Sequence, residues 1–547
     1  MPCELGPGTR MRVTCLVLPV LFLASSLPAQ QAAPPPLYSD LGTYHKAIGT
    51  KVDAAQQYFD QGLRLAYGFN HAEAIRSFAR AAELDTACAM CYWGIAYAYG
   101  PHVNAPMDSA SGVAAYDAAQ HALRLSTAAS PWEKAYVKAV AARYAQVPPT
   151  QRAALDSAYA YGMASVSRQY PQDLDAAALY AESLMDLRPW NYWTPDGKPY
   201  PGTDEIVRQL QSVIQRYPEH PGACHYYIHA VEAVNPQLAV PCAERLAHLM
   251  PGAGHMVHMP AHIYIRVGRY EDAAESNVHA IHDDETFIEG QHPTSVYSLA
   301  YYPHNIHFLA FASTMAGRSK QALAAARELK SKVNLDVARQ VPMLQEMIPY
   351  YALTLVTFGR WDEVIAEPLP PSDIRMSYAM AYYARGVAYA AKGQRGDAAM
   401  ALDTVRAIDA ATPDSAPSKL PVSIAVHALR GEILTRGGKP KEGVEEFRKA
   451  LAIEDAGIYF EPPKWYYPIR HSLGAALLKA GQGAEAEAVY REDLKRFPEN
   501  GWSLFGLAQS LRAQGKDAKE IDARFQKVWA DADIKVSSSC LCLPGSR

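Results

Sequence analysis

The stretch HSLGAALLKAGQGAEAEAVYREDLKRFP, residues 471–498, decides the fold of this chain. Its first half is apolar and rich in small residues, with Gly474 in the middle. A glycine-rich break at 481–483 separates it from an amphipathic second half that contains Ala486 and Tyr490. Small residues let two helices approach closely, and an aromatic ring fills the space beside them. The stretch therefore predicts a hairpin of two helices.

The same pattern returns along the chain. From about residue 45 to 533, segments of helical periodicity alternate with short Gly, Pro or Asp breaks. Glycines mark the middle of successive first helices at intervals of 45, 43 and 32 residues: Gly386, Gly431, Gly474 and Gly506. Second helices share an Ala–apolar–apolar spacing: Ala74, Phe78 and Ala81, then Ala398, Leu402 and Val405. A recurring hairpin of about 34 residues predicts an all-α solenoid.

The spacing resembles that of tetratricopeptide repeats. That family places Trp, Leu and Gly at repeat positions four, seven and eight, then Ala, an aromatic residue and Ala at twenty, twenty-four and twenty-seven. Pro often follows at thirty-two. Residues of one hairpin match both sets: Leu473, Gly474, Ala486, Tyr490 and Pro498. The resemblance covers most of residues 50–530 and implies a right-handed superhelix of roughly ten to twelve hairpins.

Two histidine-rich segments extend the resemblance. HYYIHA (225–230) and GHMVHMPAHIYIRVGRY (254–270) are similar to segments of exported bacterial tetratricopeptide proteins whose function is largely unassigned. In the same register, Trp502, Phe505 and Gly506 match the first-helix set of a later repeat.

The N-terminus has the layout of a secretory signal peptide. Arg10 and Arg12 precede an apolar run, residues 13–23, which is followed by small residues. This run is too short for a comfortable membrane span, and no other stretch is long and apolar enough. We expect an exported protein, periplasmic or extracellular, without a transmembrane segment.

The chain divides by composition and histidine content. We predict a signal peptide (1–29), a flexible lead-in (30–44), N-terminal repeats (45–220), histidine-rich repeats (221–318), C-terminal repeats (319–533) and a cysteine-containing tail (534–547). The formal charge of −4 shows no basic excess of the kind that indicates nucleic-acid binding.

Seven of the eleven histidines between residues 222 and 308 form three clusters at helical spacings. His225 and His229 recur as His258 and His262 at an offset of 33 residues, which is close to one hairpin. Glu232 lies three residues after His229 on the same face of the helix. The resemblance implies that these positions line the concave groove of three consecutive repeats. Pro260 should kink its helix or start it late, and a late start would place His255 and His258 on the incoming loop. The candidate metal ligands are His225, His229, His255, His258, His262, His304, His307 and Glu232.

Neighbouring imidazoles favour a transition metal, because a metal ion binds them in the neutral form and removes the repulsion of protonated rings. Imidazole ligands suit copper first, zinc second and iron less, since carboxylates are few. Two ions with three imidazoles each would use the histidines. A peptide- or protein-binding groove without metal, and a copper or zinc enzyme, are the alternatives.

Catalysis is the less favoured outcome. The chain lacks the His-Glu-x-x-His arrangement, a phosphate-binding loop with lysine, a Gly-x-Ser-x-Gly turn and a dinucleotide fingerprint. We therefore predict no catalytic residues and expect metal binding within a scaffold.

Six cysteines follow the signal peptide, and an even number in an exported protein permits disulfides. Cys224 and Cys242 could join the two helices of one hairpin. Cys540 and Cys542 could pair with each other only with strain, so a tether to another part of the chain or to a second copy is the alternative. Self-assembly of stacked solenoids into an oligomer or filament is a further hypothesis.

Overall fold

The computed structural model describes residues 34–291 and 297–543, so the predicted signal peptide lies outside the described residues. The predicted fold class is confirmed: the chain is an all-α, tetratricopeptide-like helical-hairpin solenoid, and no β-strand occurs in those two ranges. No helix within them is both long and apolar enough to cross a membrane.

The helices are numbered in chain order. The N-terminal part contains α1 Asp53–Tyr67, α2 His71–Leu84, α3 Ala89–Tyr99, α4 Ser109–Leu125, α5 Pro131–Ala141, α6 Ala153–Gln169, α7 Leu174–Met185 and α8 Thr203–Arg216. The histidine-rich part contains α9 Pro221–Val231, α10 Val240–Leu249, α11 Gly254–His258, α12 Pro260–Arg266, α13 Tyr270–Gln291 and α14 Tyr302–Met315. The C-terminal part contains α15 Ser319–Lys332, α16 Leu335–Gln340, α17 Pro342–Gln345, α18 Tyr350–Thr357, α19 Trp361–Ala366, α20 Arg375–Ala391, α21 Arg395–Ala410, α22 Lys419–Arg436, α23 Pro440–Ala456, α24 Ile469–Lys479, α25 Gly483–Arg496, α26 Gly501–Ala513 and α27 Lys519–Val528. Short 3₁₀ helices span Ser126–Ala128 and Pro236–Ala239, and a short π-helix spans Tyr297–Tyr301.

Small residues in the first helices make room for aromatic rings, as the sequence pattern predicts. A Cβ atom at Gly474 would lie 2.2 Å from Cζ of Tyr490, and one at Gly506 would lie 2.3 Å from the same atom. The tyrosine ring is thus held between α24 and α26. Phe78 is held in the same way between Gly62 and Gly94 in the first repeats.

Many of the turns that end a first helix contain a residue in the left-handed backbone region. Seven such turns use glycine: Gly268, Gly317, Gly359, Gly393, Gly438, Gly481 and Gly515. In the first hairpin, between α1 and α2, the equivalent residue is Phe69, with φ at 56°. A left-handed backbone at an L-residue with a side chain costs about 1–2 kcal/mol, so Phe69 is an exception that needs a reason.

The C-terminal hairpins return to the middle of the chain. The Tyr270 hydroxyl donates to the carbonyl of Pro498 at 3.1 Å, and the Trp502 indole donates to the carbonyl of Thr314 at 3.0 Å. The amide of Ser319 donates to Asp533 at 2.8 Å. The solenoid therefore coils tightly enough for distant repeats to touch, and its inner face is not an open groove.

The lead-in packs against the first hairpin from residue 34 onward. The Tyr38 amide donates to Gln61 and its hydroxyl donates to Glu73, both at 2.8 Å. The amide of Gly252 donates to the carbonyl of Asp40 at 2.8 Å. Its Gln-, Ala- and Pro-rich composition predicted a flexible segment and did not anticipate these contacts, which depend on residues far along the chain.

The described cysteines form three disulfides. Cys224–Cys242 joins α9 to α10, the pairing expected for one hairpin, and Cys88–Cys91 lies at the start of α3. Cys540 is paired with Cys542, the pairing for which the sequence predicted strain and to which a tether elsewhere was the alternative. The tail folds back on itself at this point, because the amide of Leu543 donates to the carbonyl of Cys540 at 2.9 Å.

Candidate metal centre

Helix α9 carries the first pair of histidines one helical turn apart. His225 and His229 are 0% and 3% exposed, and their ring centroids are 4.9 Å apart. The four-residue spacing puts both rings on the inner face of the helix. The groove wall expected from the resemblance is thus a buried position in the folded chain.

Pro260 interrupts the next first helix without removing it. Helix α11 ends at His258 and α12 begins at Pro260, with Met259 in the right-handed helical region at φ −53° and ψ −33°. The amide of Met259 donates to the carbonyl of His255 at 3.0 Å. His255 and His258 therefore lie on a helical turn and not on an incoming loop, which answers the question that Pro260 raised.

Two histidine triads follow from these helices. The ligand atoms of His225, His229 and His255 all lie within 4.8 Å of one another, and we call this group triad A. Those of His258, His262 and His304 also lie within 4.8 Å of one another, and we call this group triad B. Three imidazoles at this separation can hold one metal ion.

The triads are neighbours. The ring centroids of His229 and His262 are 5.8 Å apart, and those of His255 and His258 are also 5.8 Å apart. Glu232 lies between them: its Oε1 is 3.4 Å from Nδ1 of His229, and its Oε2 is 2.7 Å from Nδ1 of His262. One buried carboxylate therefore contacts both triads.

Hydrogen bonds fix which ring nitrogens carry protons. Nδ1 of His225 donates to the carbonyl of Tyr67 at 2.6 Å. Nδ1 of His258 faces Oδ1 of Asn277 at 2.7 Å, and the Asn277 amide nitrogen donates to the carbonyl of Ala273, which fixes the orientation of the amide. Nδ1 must therefore be the protonated nitrogen in each neutral ring, and the lone pair belongs to Nε2.

Several ring nitrogens of the triads have no hydrogen-bond partner. In the described part of the chain, Nε2 of His225, Nε2 of His229 and both nitrogens of His255 are buried without a hydrogen-bond partner. In triad B, Nε2 of His258 and Nε2 of His262 face each other at 2.9 Å. When both rings are neutral with Nδ1 as the donor, two acceptor nitrogens face each other, and a cation between them, either a proton or a metal ion, relieves the contact.

The surroundings favour neutral imidazoles. Burial lowers the pKa of His225, and the charge of His229 lowers it further, to well below its ordinary value. The pKa values of His255, His258 and His304 are also well below the ordinary value, chiefly because of burial and then because of neighbouring histidines. Burial alone would raise the pKa of Glu232, but His262 and His229 lower it to about 2.

His307 is apart from both triads. Its ring lies 4.2 Å from that of Tyr350, and burial lowers its pKa to about 3. On α14, His304 belongs to triad B, whereas His307, three residues later, faces Tyr350 of α18.

Two further histidines were missed. His71 and His102 have ring centroids 4.3 Å apart, and the ring of His102 stacks on Phe69 at 4.4 Å. Burial lowers the pKa of His71 to about 4. Each is a lone histidine in the sequence, so no helical spacing marked it.

Aromatic rings pack on each triad. Phe69 lies 4.4 Å from His225, 5.6 Å from His255 and 5.9 Å from His229 in triad A. Phe308 lies 4.9 Å, 4.8 Å and 5.6 Å from the rings of His258, His262 and His304 in triad B. The left-handed Phe69 therefore points its ring into the histidine cluster.

Two loops cover the cluster, one between α7 and α8 and one between α23 and α24. Trp190, also left-handed with φ at 63°, lies 5.1 Å from His229, and the Trp193 indole donates to the carbonyl of Ala230 at 2.8 Å. Phe460 from the insertion after α23 lies 6.3 Å from Trp190. Loops from distant repeats thus meet over α9 and exclude water.

Comparisons with known proteins give the architecture no named family. No family model matches the chain, and no curated protein matches it. The human IFIT1 dimer with m7Gppp-AAAA is 13% identical over 89% of this chain and 92% of that chain, with a TM-score of 0.32. The P58(IPK) TPR domain is 12% identical over 84% of this chain and 98% of that chain, with a TM-score of 0.21. Because both TM-scores are below 0.5, these structures do not establish the fold of this chain, and the solenoid architecture follows from its own helices.

Proposed function

We propose that this chain is an exported tetratricopeptide-like scaffold that binds two transition-metal ions, one at each histidine triad. The observation that carries the proposal is the grouping of free ring nitrogens. Hydrogen bonds at Nδ1 leave Nε2 as the free nitrogen of His225 and His258, and each of these rings belongs to a group of three histidines whose ligand nitrogens lie within 4.8 Å of one another. Histidines that bind metals typically donate their other N–H to a carbonyl or a carboxylate in this way.

Copper is the ion that these ligands favour, and zinc is the second choice. Imidazole nitrogen suits copper, zinc, nickel and iron, and copper(II) heads the affinity order of the divalent ions. Glu232 was predicted as a ligand. We propose instead that its carboxylate accepts hydrogen bonds from Nδ1 of His229 and Nδ1 of His262 and orients both rings, because its oxygens face those atoms. His307 lies beside Tyr350, and we leave it out of both ion sites.

The role that this geometry supports best is structural. Triad A joins α9 to α11, and triad B joins α11 and α12 to α14, so bound ions would tie consecutive hairpins together. The peptide-groove alternative is less favoured here because six of the seven predicted histidines are at most 6% exposed. The metalloenzyme alternative needs a route for substrate past Trp190 and Phe69.

Metal stoichiometry tests the proposal. The full chain is stripped with a chelator, titrated with copper or zinc, passed through gel filtration and analysed by mass spectrometry for bound metal. We expect two equivalents in the wild type and one in each of His255→Leu and His304→Leu, which remove one imidazole from triad A and triad B. The double variant should bind none. His282→Ala, an exposed histidine on α13, is the matched control and should retain two.

Absence of retained copper and zinc in the wild type, or two equivalents in the double variant, would refute the ion sites. Turnover of phenols or peptides by the loaded wild type would replace the scaffold role with the enzyme role. N-terminal sequencing of the exported protein tests the signal peptide, and a start near Gln30 is the expected result. Self-assembly is tested by light scattering with and without reductant.

A further inference from the structure

The C-terminal tail lies inside the C-terminal hairpins. The hydroxyls of Tyr490 and Ser539 share a hydrogen bond of 2.6 Å, and Ser539 Oγ lies 2.9 Å from the carbonyl oxygen of His471. Arg436 on α22 donates to the carbonyl of Cys542. Cys540 and Cys542 are 7% and 2% exposed. The two cysteines of the tail are therefore interior residues.

Glu432 on α22 meets them there. It is 1% exposed, and neither of its carboxylate oxygens has a hydrogen-bond partner within residues 34–291 and 297–543. Its nearest cation is Nε of Arg436, one helical turn away, at 3.6 Å. A buried polar group without a hydrogen bond costs about 1–3 kcal/mol, and a cation bound by this carboxylate would offset that cost.

The sulfur atoms supply the rest of a ligand set. One carboxylate oxygen of Glu432 and the Sγ atoms of Cys540 and Cys542 all lie within 4.8 Å of one another. The hydroxyl of Ser472 lies 3.4 Å from Sγ of Cys540 and 3.6 Å from Sγ of Cys542. Two thiolates and one carboxylate are a ligand combination that zinc accepts, with a fourth position left for another ligand.

We propose that Cys540, Cys542 and Glu432 form a zinc site when the cysteines are reduced. The site shares no residue with the histidine triads and does not rest on their function. Two electrons and two protons from a dithiol reductant convert the Cys540–Cys542 bond into two thiols, and the dithiol becomes a disulfide. Zn²⁺ then replaces the two thiol protons, which go to solvent. The disulfide and the zinc ion are thus alternative ways of holding the tail.

Cobalt(II) and zinc are the probes. The full chain is reduced with a dithiol, which is removed without oxygen, and Co²⁺ is added. Thiolate ligation gives intense sulfur-to-cobalt charge-transfer absorption that histidine ligation does not give. We expect this absorption in the reduced wild type, its loss on adding Zn²⁺, and its absence in Cys540→Ser with Cys542→Ser. Glu432→Gln should weaken cobalt binding by about tenfold or more, the lower end of the range for lost metal-site partners.

Two controls separate this site from the others. The double variant His255→Leu with His304→Leu should keep the sulfur absorption even if both triads fail to bind metal. Zn²⁺ should also protect Cys540 and Cys542 of the wild type from alkylation, measured by peptide mass spectrometry, which does not depend on a variant that folds. No sulfur absorption in the reduced wild type, equal absorption in the tail cysteine variant, or equal alkylation with and without zinc would overturn the proposal.

Discussion

Phe69 is the sharpest place to test how the histidine cluster is built. It occupies a position where seven other turns have glycine, with φ at 56°, and its ring packs on His225, His229 and His255. If the backbone is strained in order to place the ring, glycine and alanine at position 69 should differ in a particular direction. Both substitutions remove the ring, so their difference isolates the backbone.

The magnitude follows from three contributions. Losing the buried ring should cost either variant about 3–5 kcal/mol of unfolding free energy, as for other buried phenylalanines. Glycine recovers about 1–2 kcal/mol of left-handed strain that alanine retains. Glycine loses about 0.4–1 kcal/mol through its greater freedom in the unfolded chain. Phe69→Gly should therefore be more stable than Phe69→Ala by about 0.8 kcal/mol at the midpoints of these ranges, the reverse of the order in a helix interior.

Gly393 and Gly481 provide the matched control. Both are left-handed, with φ at 74° and 75°, and an added Cβ atom would meet nothing within 4 Å in the described chain. Gly393→Ala and Gly481→Ala should each cost about 0.5–1 kcal/mol from the same backbone preference. Native-state hydrogen exchange of peptides from the affected hairpin measures each opening free energy. An alanine variant at position 69 as stable as the glycine variant, while the controls lose stability, would refute the argument.

Three further predictions concern the site and its support. His255→Leu should lower metal stoichiometry by one, as measured by mass spectrometry of the loaded protein. The same change should raise the unfolding free energy of the metal-free protein by about 1–3 kcal/mol, because both nitrogens of His255 are buried without a partner among the described residues. Chemical denaturation without metal measures this gain, and a loss of stability would contradict it. Glu232→Gln should weaken metal binding about 10–100-fold at both triads, since it holds Nδ1 of His229 and of His262; competition with a chromophoric chelator measures the affinity, and a loss at neither triad would contradict it. Burial raises the pKa of Asp284 from 3.8 to about 7, although hydrogen bonds from Tyr297 and Asn305 to its carboxylate oppose the rise. Between these two pKa values the native side chain keeps a proton that the unfolded chain loses. The unfolding free energy should therefore fall by up to about 1.4 kcal/mol per pH unit as the pH rises from about 4 to about 7. Asp284→Asn should flatten this fall in denaturation experiments between pH 4 and 8, and an unchanged slope would contradict it.

Local pattern was enough for the hairpins. The small-residue and aromatic spacing that predicts Tyr490 between two first helices corresponds to direct contacts at Gly474 and Gly506. Helical spacing also pointed to the six histidines that form the triads, because residues three or four apart share one face of a helix independently of the tertiary structure.

The remainder depends on long-range geometry. His71, His102 and the ring of Phe69 reach the cluster because the first hairpin folds against α9, and one repeat does not encode that approach. The burial of the histidines depends on the tight coil, which brings Pro498 to Tyr270. The position of Glu232 relative to ring nitrogens depends on side-chain rotamers. Spacing places a residue on a face but does not say which atom it contacts.

The return of the C-terminal hairpins also determines the order in which the histidine cluster is built and covered during synthesis. The histidines of α9, α11 and α12 are synthesised 198 to 235 residues before Phe460, whose ring lies beside Trp190 over the cluster. Until Phe460 packs beside Trp190, one of the two loops over the cluster is missing, and the imidazoles are more accessible to water. If the triads bind metal as proposed, loading is easiest for a newly made chain, and the finished protein should exchange its ions slowly.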